Sequence, residues 1–108
     1  MRLFGLKACD TCRKATKAIA ATGRDVQMVD VRETPLAAAD LARFHAAFGE
    51  DLVNRRSTTW RGLDEAARAR PALELLAEHP ALMKRPVIDT GDGLFLGWGP
   101  DVQAQVIG

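Results

Sequence analysis

Two cysteines, Cys9 and Cys12, lie near the start of this chain with two residues between them. The apolar run Arg2–Leu6 precedes the pair and predicts a β-strand, whereas Cys12–Thr22 is rich in strong helix formers and predicts a helix. The sulfurs therefore lie where a strand passes into a helix. The first turn of a helix carries unpaired N–H groups and the positive end of the helix dipole, which stabilise a thiolate. This position predicts a nucleophilic Cys9, with Cys12 placed to resolve its products as a disulfide.

Two other interpretations of the cysteine pair are a zinc site and simple packing of two small apolar side chains. A structural zinc site needs about four ligands. The other candidates, His45 and His79, lie far along the chain without paired spacing. We therefore expect no metal. A C-x-x-C motif beside a β-α-β pattern is typical of thiol redox proteins, which favours redox chemistry.

Length and charge narrow the class of protein. A chain of 108 residues with 47% hydrophobic residues predicts a single domain over residues 1–108. Its 15 basic and 14 acidic residues give a formal net charge of +1, which favours neither direct nucleic-acid binding nor a membrane surface. No apolar stretch approaches the ~18 residues of a membrane span, and Arg2, Lys7 and Asp10 interrupt any export signal. We expect a cytoplasmic protein whose cysteines are reduced or catalytic.

The rest of the chain alternates strand and helix patterns. Asp25–Val31 predicts a second strand, parallel to the first because a helix connects them. A helical insertion over about residues 36–80 follows. Its predicted helices are Leu36–Phe48, Trp60–Arg70 and Pro71–Glu78. Val87–Asp89 and Leu94–Leu96 predict a hairpin, and Asp101–Ile107 a closing helix. This order predicts an α/β, thioredoxin-like fold with a four-stranded mixed sheet and a helical insertion.

Three segments, Gly5–Ala15, Leu52–Arg61 and Lys84–Ile88, follow one another in a recognisable order. Together they resemble the arsenate reductase (ArsC) family, within it the YffB-like branch that neighbours the Spx regulators. The resemblance covers nearly the whole chain. It implies that Cys9 is the nucleophile and that Arg85 is a fixed cation beside it, which binds an anionic substrate. It also implies that Pro86 is the cis-proline that thioredoxin-like folds place beside the reactive sulfur.

The resemblance also bears on the substrate. Arsenate-reducing members surround the cysteine with three arginines, but here Asn54 and Trp98 stand where two of them align, and Arg85 is retained. Cys12 stands where those enzymes have a hydroxyl residue and supplies a resolving sulfur. The resemblance therefore implies a thiol oxidoreductase that acts on a thiol-bearing substrate, with glutathione as cosubstrate and no bound cofactor. The alternatives are arsenate reductase proper and a Spx-like redox-sensing regulator that binds RNA polymerase.

Other polar residues are candidates for binding the substrate. Arg55 and Arg56 are able to bind a glutathione carboxylate if they reach the site, and a solvated pair is the alternative. Lys7 adds positive potential near the sulfur. Asp10 is predicted to cap the helix rather than to act as an acid. Trp60 is predicted to anchor the helical insertion in the core.

Overall fold

In the computed structural model, which describes residues 1–108, strand β1 (Arg2–Gly5) lies between two partners in a four-stranded sheet. Strand β2 (Gln27–Asp30) pairs with β1 in parallel, and β3 (Val87–Asp89) pairs with it antiparallel. Strand β4 (Leu94–Leu96) follows β3 across a hairpin and completes the order β2-β1-β3-β4. The predicted α/β fold with a four-stranded mixed sheet is confirmed.

The chain divides into two compact units. The first contains Met1–Thr34 and Arg85–Gly108, and the second contains Pro35–Lys84. The first unit holds the whole sheet together with helix α1 (Asp10–Ala21) and helix α6 (Pro100–Val106). The predicted helical insertion lies within the second unit.

One face of α1 and the sheet form the core of the first unit. The buried residues of α1 are three and four positions apart, as expected for a helix with one apolar face. The fully buried residues of the cluster that contains this helix face are Leu3, Cys12, Ala15, Ile19, Ile88 and Val106. Cys12 is thus a core residue, whereas Cys9 is only partly buried. The two sulfurs therefore experience different environments although two residues separate them.

The second unit consists of short helices. They are α2 (Ala38–Phe48), α3 (Thr58–Arg61), α4 (Glu65–Arg68) and α5 (Ala72–Glu78), with 3-10 helices at Gly49–Leu52 and Pro80–Leu82. Helices α2 and α5 pack against each other, and Val53 forms an antiparallel bridge with Met83. No helix of the chain has both the length and the apolar character needed to cross a membrane.

The prediction of one helix over Trp60–Arg70 is wrong, because two capping side chains start separate helices. Ser57 accepts a hydrogen bond from the N–H of Trp60 at 3.1 Å and begins α3. Asp64 accepts one from the N–H of Ala67 at 2.8 Å and begins α4. Short oxygen-bearing side chains favour this N-cap position, and the cap at Asp64 starts a new helix soon after α3 ends at Arg61.

Candidate active site

Cys9 occupies the N-cap position of α1, with extended backbone angles (φ −83°, ψ 118°). Its N–H donates to the carbonyl of Leu6 at 3.0 Å and closes the turn between β1 and the helix. No side-chain hydrogen bond caps α1, and the N–H of Cys12 instead interacts with the Cys9 sulfur. The predicted location of the pair is thereby confirmed, with Cys9 at the cap and Cys12 in the first turn.

The environment of Cys9 lowers the pKa of its thiol below the usual value. Partial burial is the largest single influence, and it opposes ionisation. The backbone N–H and the thiol of Cys12 act in the other direction, as do a hydrogen bond and the positive charge of Arg85. These stabilising interactions together outweigh burial. The surroundings of Cys9 therefore favour its ionised form.

Cys12 behaves in the opposite way. Burial in the core, reinforced by the neighbouring sulfur of Cys9, raises the pKa of Cys12 to about 11. The N–H of Leu6 and the charge of Arg85 favour its thiolate but do not compensate. At a pH at which Cys9 is ionised, Cys12 is therefore still a neutral thiol, and it is able to donate a hydrogen bond to the Cys9 sulfur. Both cysteines are free thiols, and no group of three or more His, Cys, Asp or Glu side chains is arranged to hold a metal ion.

Arg85 and Pro86 contribute to the site from the segment that leads into β3. The peptide bond between them is cis, as the family resemblance implies. The Arg85 side chain hydrogen-bonds the Cys9 sulfur, and Pro86 is fully buried. The structure thus brings Cys9, Cys12 and Arg85 together, while the catalytic roles of these residues stay predictions. Trp98, which stands where a third arginine aligns, packs partly buried against the core of the first unit.

The loop between β1 and α1 is anchored by contacts that the sequence analysis did not identify. The carboxylate of Asp30 accepts a hydrogen bond from the N–H of Lys7 at 2.8 Å. It also accepts the N–H groups of Arg32 at 2.8 Å and Glu33 at 3.2 Å. The guanidinium of Arg13 donates to the carbonyl of Lys7 at 3.4 Å. Both the N–H and the carbonyl of Lys7, in the segment before Cys9, are therefore hydrogen-bonded by side chains.

A sequence signal for Asp30 does exist. It is the last residue of β2, and the carboxyl ends of neighbouring parallel strands lie at the same edge of a sheet. Its side chain therefore meets the loop that follows β1. The N–H of Lys7 is the main cause that lowers the pKa of Asp30, with those of Arg32 and Glu33 adding to it. Asp30 is a structural anchor of the loop rather than a candidate acid.

The sequence also assigns roles to Lys7 in this loop and to Asp10 at the start of α1. The ammonium of Lys7 pairs with Glu33 at 2.8 Å, so its role in substrate binding stays a prediction. The prediction that Asp10 caps α1 is wrong. Cys9, one residue earlier, has the cap conformation, and Asp10 is the first helical residue. Its carboxylate forms an ion pair with Arg13 instead.

In the second unit, Arg55 is engaged by its own neighbours. Its guanidinium donates to the Glu50 carboxylate at 2.6 Å and to the Glu50 carbonyl at 3.3 Å. Arg56 is exposed, and its backbone N–H donates to the side chain of Asn54 at 3.1 Å. The proposed contacts of Arg55 and Arg56 with glutathione stay predictions.

Trp60 does not anchor a core, because α3 has no buried residue. Its ring instead lies against two cations, with the guanidinium carbons of Arg55 and Arg68 at 5.4 and 5.6 Å from a ring centroid. Arg68 also donates to the carbonyls of Trp60 and Arg61 at the end of α3. The expectation failed because a short helix with its own cap has no continuous apolar face to bury.

The chain is similar to several known proteins. The chain is 33% identical to a YffB protein of known structure, with a TM-score of 0.90 over 99% of this chain and 98% of that one. It is 43% identical over 91 residues to an uncharacterized protein of Haemophilus influenzae, which covers 80% of each chain. It is 28% identical over 105 residues to the global transcriptional regulator Spx of Streptococcus pyogenes, covering 92% of this chain and 78% of the regulator. The model of the ArsC family matches residues 4–106, and the chain therefore belongs to the ArsC family.

Proposed function

We propose that this protein is a thiol oxidoreductase that acts through a Cys9 thiolate and uses glutathione as its cosubstrate. The observation that carries the proposal is the position of the Cys9 sulfur at the start of α1, where it interacts with the Cys12 N–H, the Cys12 thiol and Arg85. Members of the ArsC family are generally oxidoreductases, which supports the same reaction class. No bound cofactor takes part in this proposal.

The proposed reaction is a pair of thiol–disulfide exchanges. The Cys9 thiolate attacks the glutathione sulfur of a mixed disulfide, so that a Cys9–glutathione bond forms and the substrate S–S bond breaks. The electron pair leaves with the substrate sulfur, which takes a proton from solvent. A second glutathione thiolate then attacks the Cys9–glutathione bond. This step releases oxidised glutathione and returns Cys9 to its thiolate form.

Cys12 is the slower of the two possible resolving groups. Its burial keeps the thiol neutral, and a neutral thiol is a poor nucleophile. When Cys9 forms a mixed disulfide, its negative charge disappears, and with it one cause of the raised pKa of Cys12. Burial remains. If Cys12 does attack, its proton passes to the departing glutathione thiolate. We therefore propose glutathione as the main resolving thiol and Cys12 as the hydrogen-bond donor to Cys9.

The replacement Cys9→Ser tests the proposal. The probe is the mixed disulfide of glutathione and 2-mercaptoethanol, with oxidised glutathione measured through glutathione reductase and NADPH consumption. Because a serine hydroxyl is not ionised near neutral pH, the variant is expected to show only the uncatalysed rate. The matched variant Cys12→Ser retains the nucleophile and is expected to keep measurable turnover. Full activity of Cys9→Ser would refute the proposal.

The similarity to Spx supports a second candidate from another class. In that case the Cys9 and Cys12 pair is a redox switch in a regulator that binds RNA polymerase. Redox-dependent binding to purified RNA polymerase, with no turnover of any thiol substrate, would favour this function. Arsenate reduction is tested in the same preparation by replacing the mixed disulfide with arsenate. Arsenate-dependent oxidation of glutathione at a higher rate than the disulfide reaction would make arsenate the substrate.

A further inference from the structure

Gly5, at the end of β1, leaves a space that the Cys12 sulfur fills. A Cβ atom on Gly5 would lie 2.3 Å from the Cys12 Sγ and 3.2 Å from the Cys12 Cβ. In real proteins, heavy atoms of non-neighbouring residues essentially never approach a Cβ within 3.0 Å. The backbone does not explain the glycine, because Gly5 is not among the glycines with positive φ. The lack of a side chain is therefore needed to make room for the sulfur.

The surroundings leave few ways to relieve such a clash. Gly5 lies in the central strand, paired with Asp30 of β2, and its carbonyl accepts the N–H of Val31 at 2.9 Å. Moving the strand away would break this pairing. Cys12 is fully buried, and packed interiors resist small displacements. A side chain at position 5 would therefore displace the Cys12 sulfur itself.

We infer that Gly5 is a positioning residue of the redox pair, whose missing side chain fixes where the Cys12 thiol lies and so holds that thiol against Cys9. The inference rests on the proposed function in one respect, because it takes the Cys9 thiolate as the reacting group. Gly5 acts only through Cys12 and touches no substrate. A glycine inside a strand often marks a close approach by another group, and here that group is a sulfur.

The inference predicts how the reactivity of Cys9 depends on position 5. If the Cys12 sulfur is displaced, Cys9 loses a hydrogen-bond donor that favours its ionised form. A smaller fraction of Cys9 is then thiolate at neutral pH. The effect concerns the titration of Cys9, which a loss of stability alone would not change.

The first experiment measures the rate of iodoacetamide alkylation of Cys9 against pH in the wild type and in Gly5→Ala. The buried Cys12 is expected to react much more slowly. The midpoint of Gly5→Ala is expected to move upward, and the rate below the midpoint to fall about tenfold for each pKa unit. The matched control is Gly99→Ala. Gly99 has an ordinary φ of −73°, and a Cβ there meets nothing within 4 Å, so its profile is expected to equal that of the wild type.

The second experiment repeats the substitution without the sulfur. In the Cys12→Ala background, the contact that remains is the one of 3.2 Å to the Cβ of residue 12, which needs a shift of a few tenths of an ångström. Adding Gly5→Ala to Cys12→Ala is therefore expected to leave the Cys9 midpoint unchanged. Gly5→Ala alone is compared with the double variant by circular dichroism if the single variant does not fold. Recovery of folding in the double variant then supports a clash between the Gly5→Ala side chain and the Cys12 sulfur. A double variant that also fails to fold refutes it.

The outcomes separate the inference from the proposed function. A wild-type Cys9 midpoint at the value of an ordinary cysteine would refute both. A lowered wild-type midpoint that Gly5→Ala leaves in place would refute the inference and leave the proposed function standing. An equal shift by Gly5→Ala with and without the Cys12 sulfur would also refute the inference, because the sulfur would then not transmit the effect.

Discussion

Arg85 of the first unit and Arg55 of the second unit are alike in one respect of sequence, since each stands next to another basic residue, Lys84 or Arg56. Their partners differ. Arg85 hydrogen-bonds the sulfur of Cys9 and stabilises its charged form, whereas Arg55 is bound by Glu50 and lies over the Trp60 ring. Both guanidiniums are occupied, but only one of them stabilises a group that can react. The partner of an arginine therefore indicates whether it belongs to a reactive site. The number of charged residues beside it in the sequence does not identify that partner.

The loops of the two units show the same contrast. Before Cys9, the charged carboxylate of Asp30 collects backbone N–H groups. In the second unit, the neutral side chain of Asn54 accepts the N–H of Arg56, and the backbone carbonyl of Asn54 accepts the Ser57 hydroxyl at 2.8 Å. The two loops use similar hydrogen bonds, but only the one anchored by a carboxylate can respond to pH.

Replacement of each arginine by alanine distinguishes the two directly, and we expect the strongest change at Arg85. Arg85→Ala removes a hydrogen bond and a positive charge from the Cys9 thiolate, so the pKa of Cys9 is expected to rise. Alkylation by iodoacetamide at neutral pH should fall about tenfold for each unit of that rise. The matched variant Arg55→Ala removes a guanidinium that hydrogen-bonds Glu50 and lies over the Trp60 ring. It is expected to leave the Cys9 midpoint in place, and an equal shift in both variants would show that Arg85 has no special effect on Cys9.

Replacement of Asp30 is expected to have a smaller effect, which is on stability and depends on pH. The hydrogen bonds lower the folded-state pKa of Asp30 below its ordinary value of 3.8. Its stabilising contribution is therefore complete above the unfolded pKa and is lost as the pH falls through the folded pKa. Asp30→Asn is expected to lower the Tm by a constant amount above about pH 5, and the difference should shrink in more acidic solution.

The control for Asp30 is Asp92→Asn, in the turn between β3 and β4. The Asp92 backbone N–H donates to Thr90, and its carboxylate accepts no hydrogen bond. Thermal unfolding of the two variants between about pH 3 and pH 7 provides the measurement. If the Tm difference at Asp30 did not vary with pH, the carboxylate would not be the anchor of the loop.

The smallest expected effect concerns the second unit alone. Arg68→Ala removes a cation from the Trp60 ring and the hydrogen bonds to the last carbonyls of α3. Exposed contacts of this kind are weak, so the free energy of unfolding in urea should fall by about 1 kcal/mol or less. The conservative variant Arg68→Lys keeps the charge but loses the planar fork, and it is expected to recover only part of that loss. A loss of several kcal/mol would show that Trp60 supports the fold more strongly than its exposure indicates.

Local patterns predicted the elements that define the fold. The strands around Cys9, helix α1 and the β3–β4 hairpin follow from apolar periodicity and a glycine-containing turn, which are properties of neighbouring residues. The spacing of Cys9 and Cys12 predicts the redox pair in the same way, whereas the roles of Arg85 and Pro86 are implied by the family resemblance. The prediction of one helix over Trp60–Arg70 failed because the Asp64 side chain accepts the backbone N–H of Ala67 and so starts a new helix. A count of helix formers does not register this local competition for backbone hydrogen bonds.

The contacts that shape the site depend on positions far apart in sequence. Asp30 meets the Lys7 backbone 23 residues away because β1 and β2 end at the same sheet edge. Gly5 and Cys12 are close in sequence, but their contact depends on how α1 packs on the sheet. Such relations follow from topology and packing, so a single sequence supplies the residue types without showing which ones meet.

The unusual start of α1 couples its chemistry to its dynamics. No oxygen-bearing side chain caps this helix, and the first-turn N–H of Cys12 interacts with the sulfur of Cys9. When Cys9 enters a disulfide, the helix loses the negative charge that its positive end favours. Amide hydrogen exchange in the first turn should therefore be slow in the thiolate state and faster in the mixed disulfide. The redox state of a single sulfur would then be readable as local fraying of the backbone.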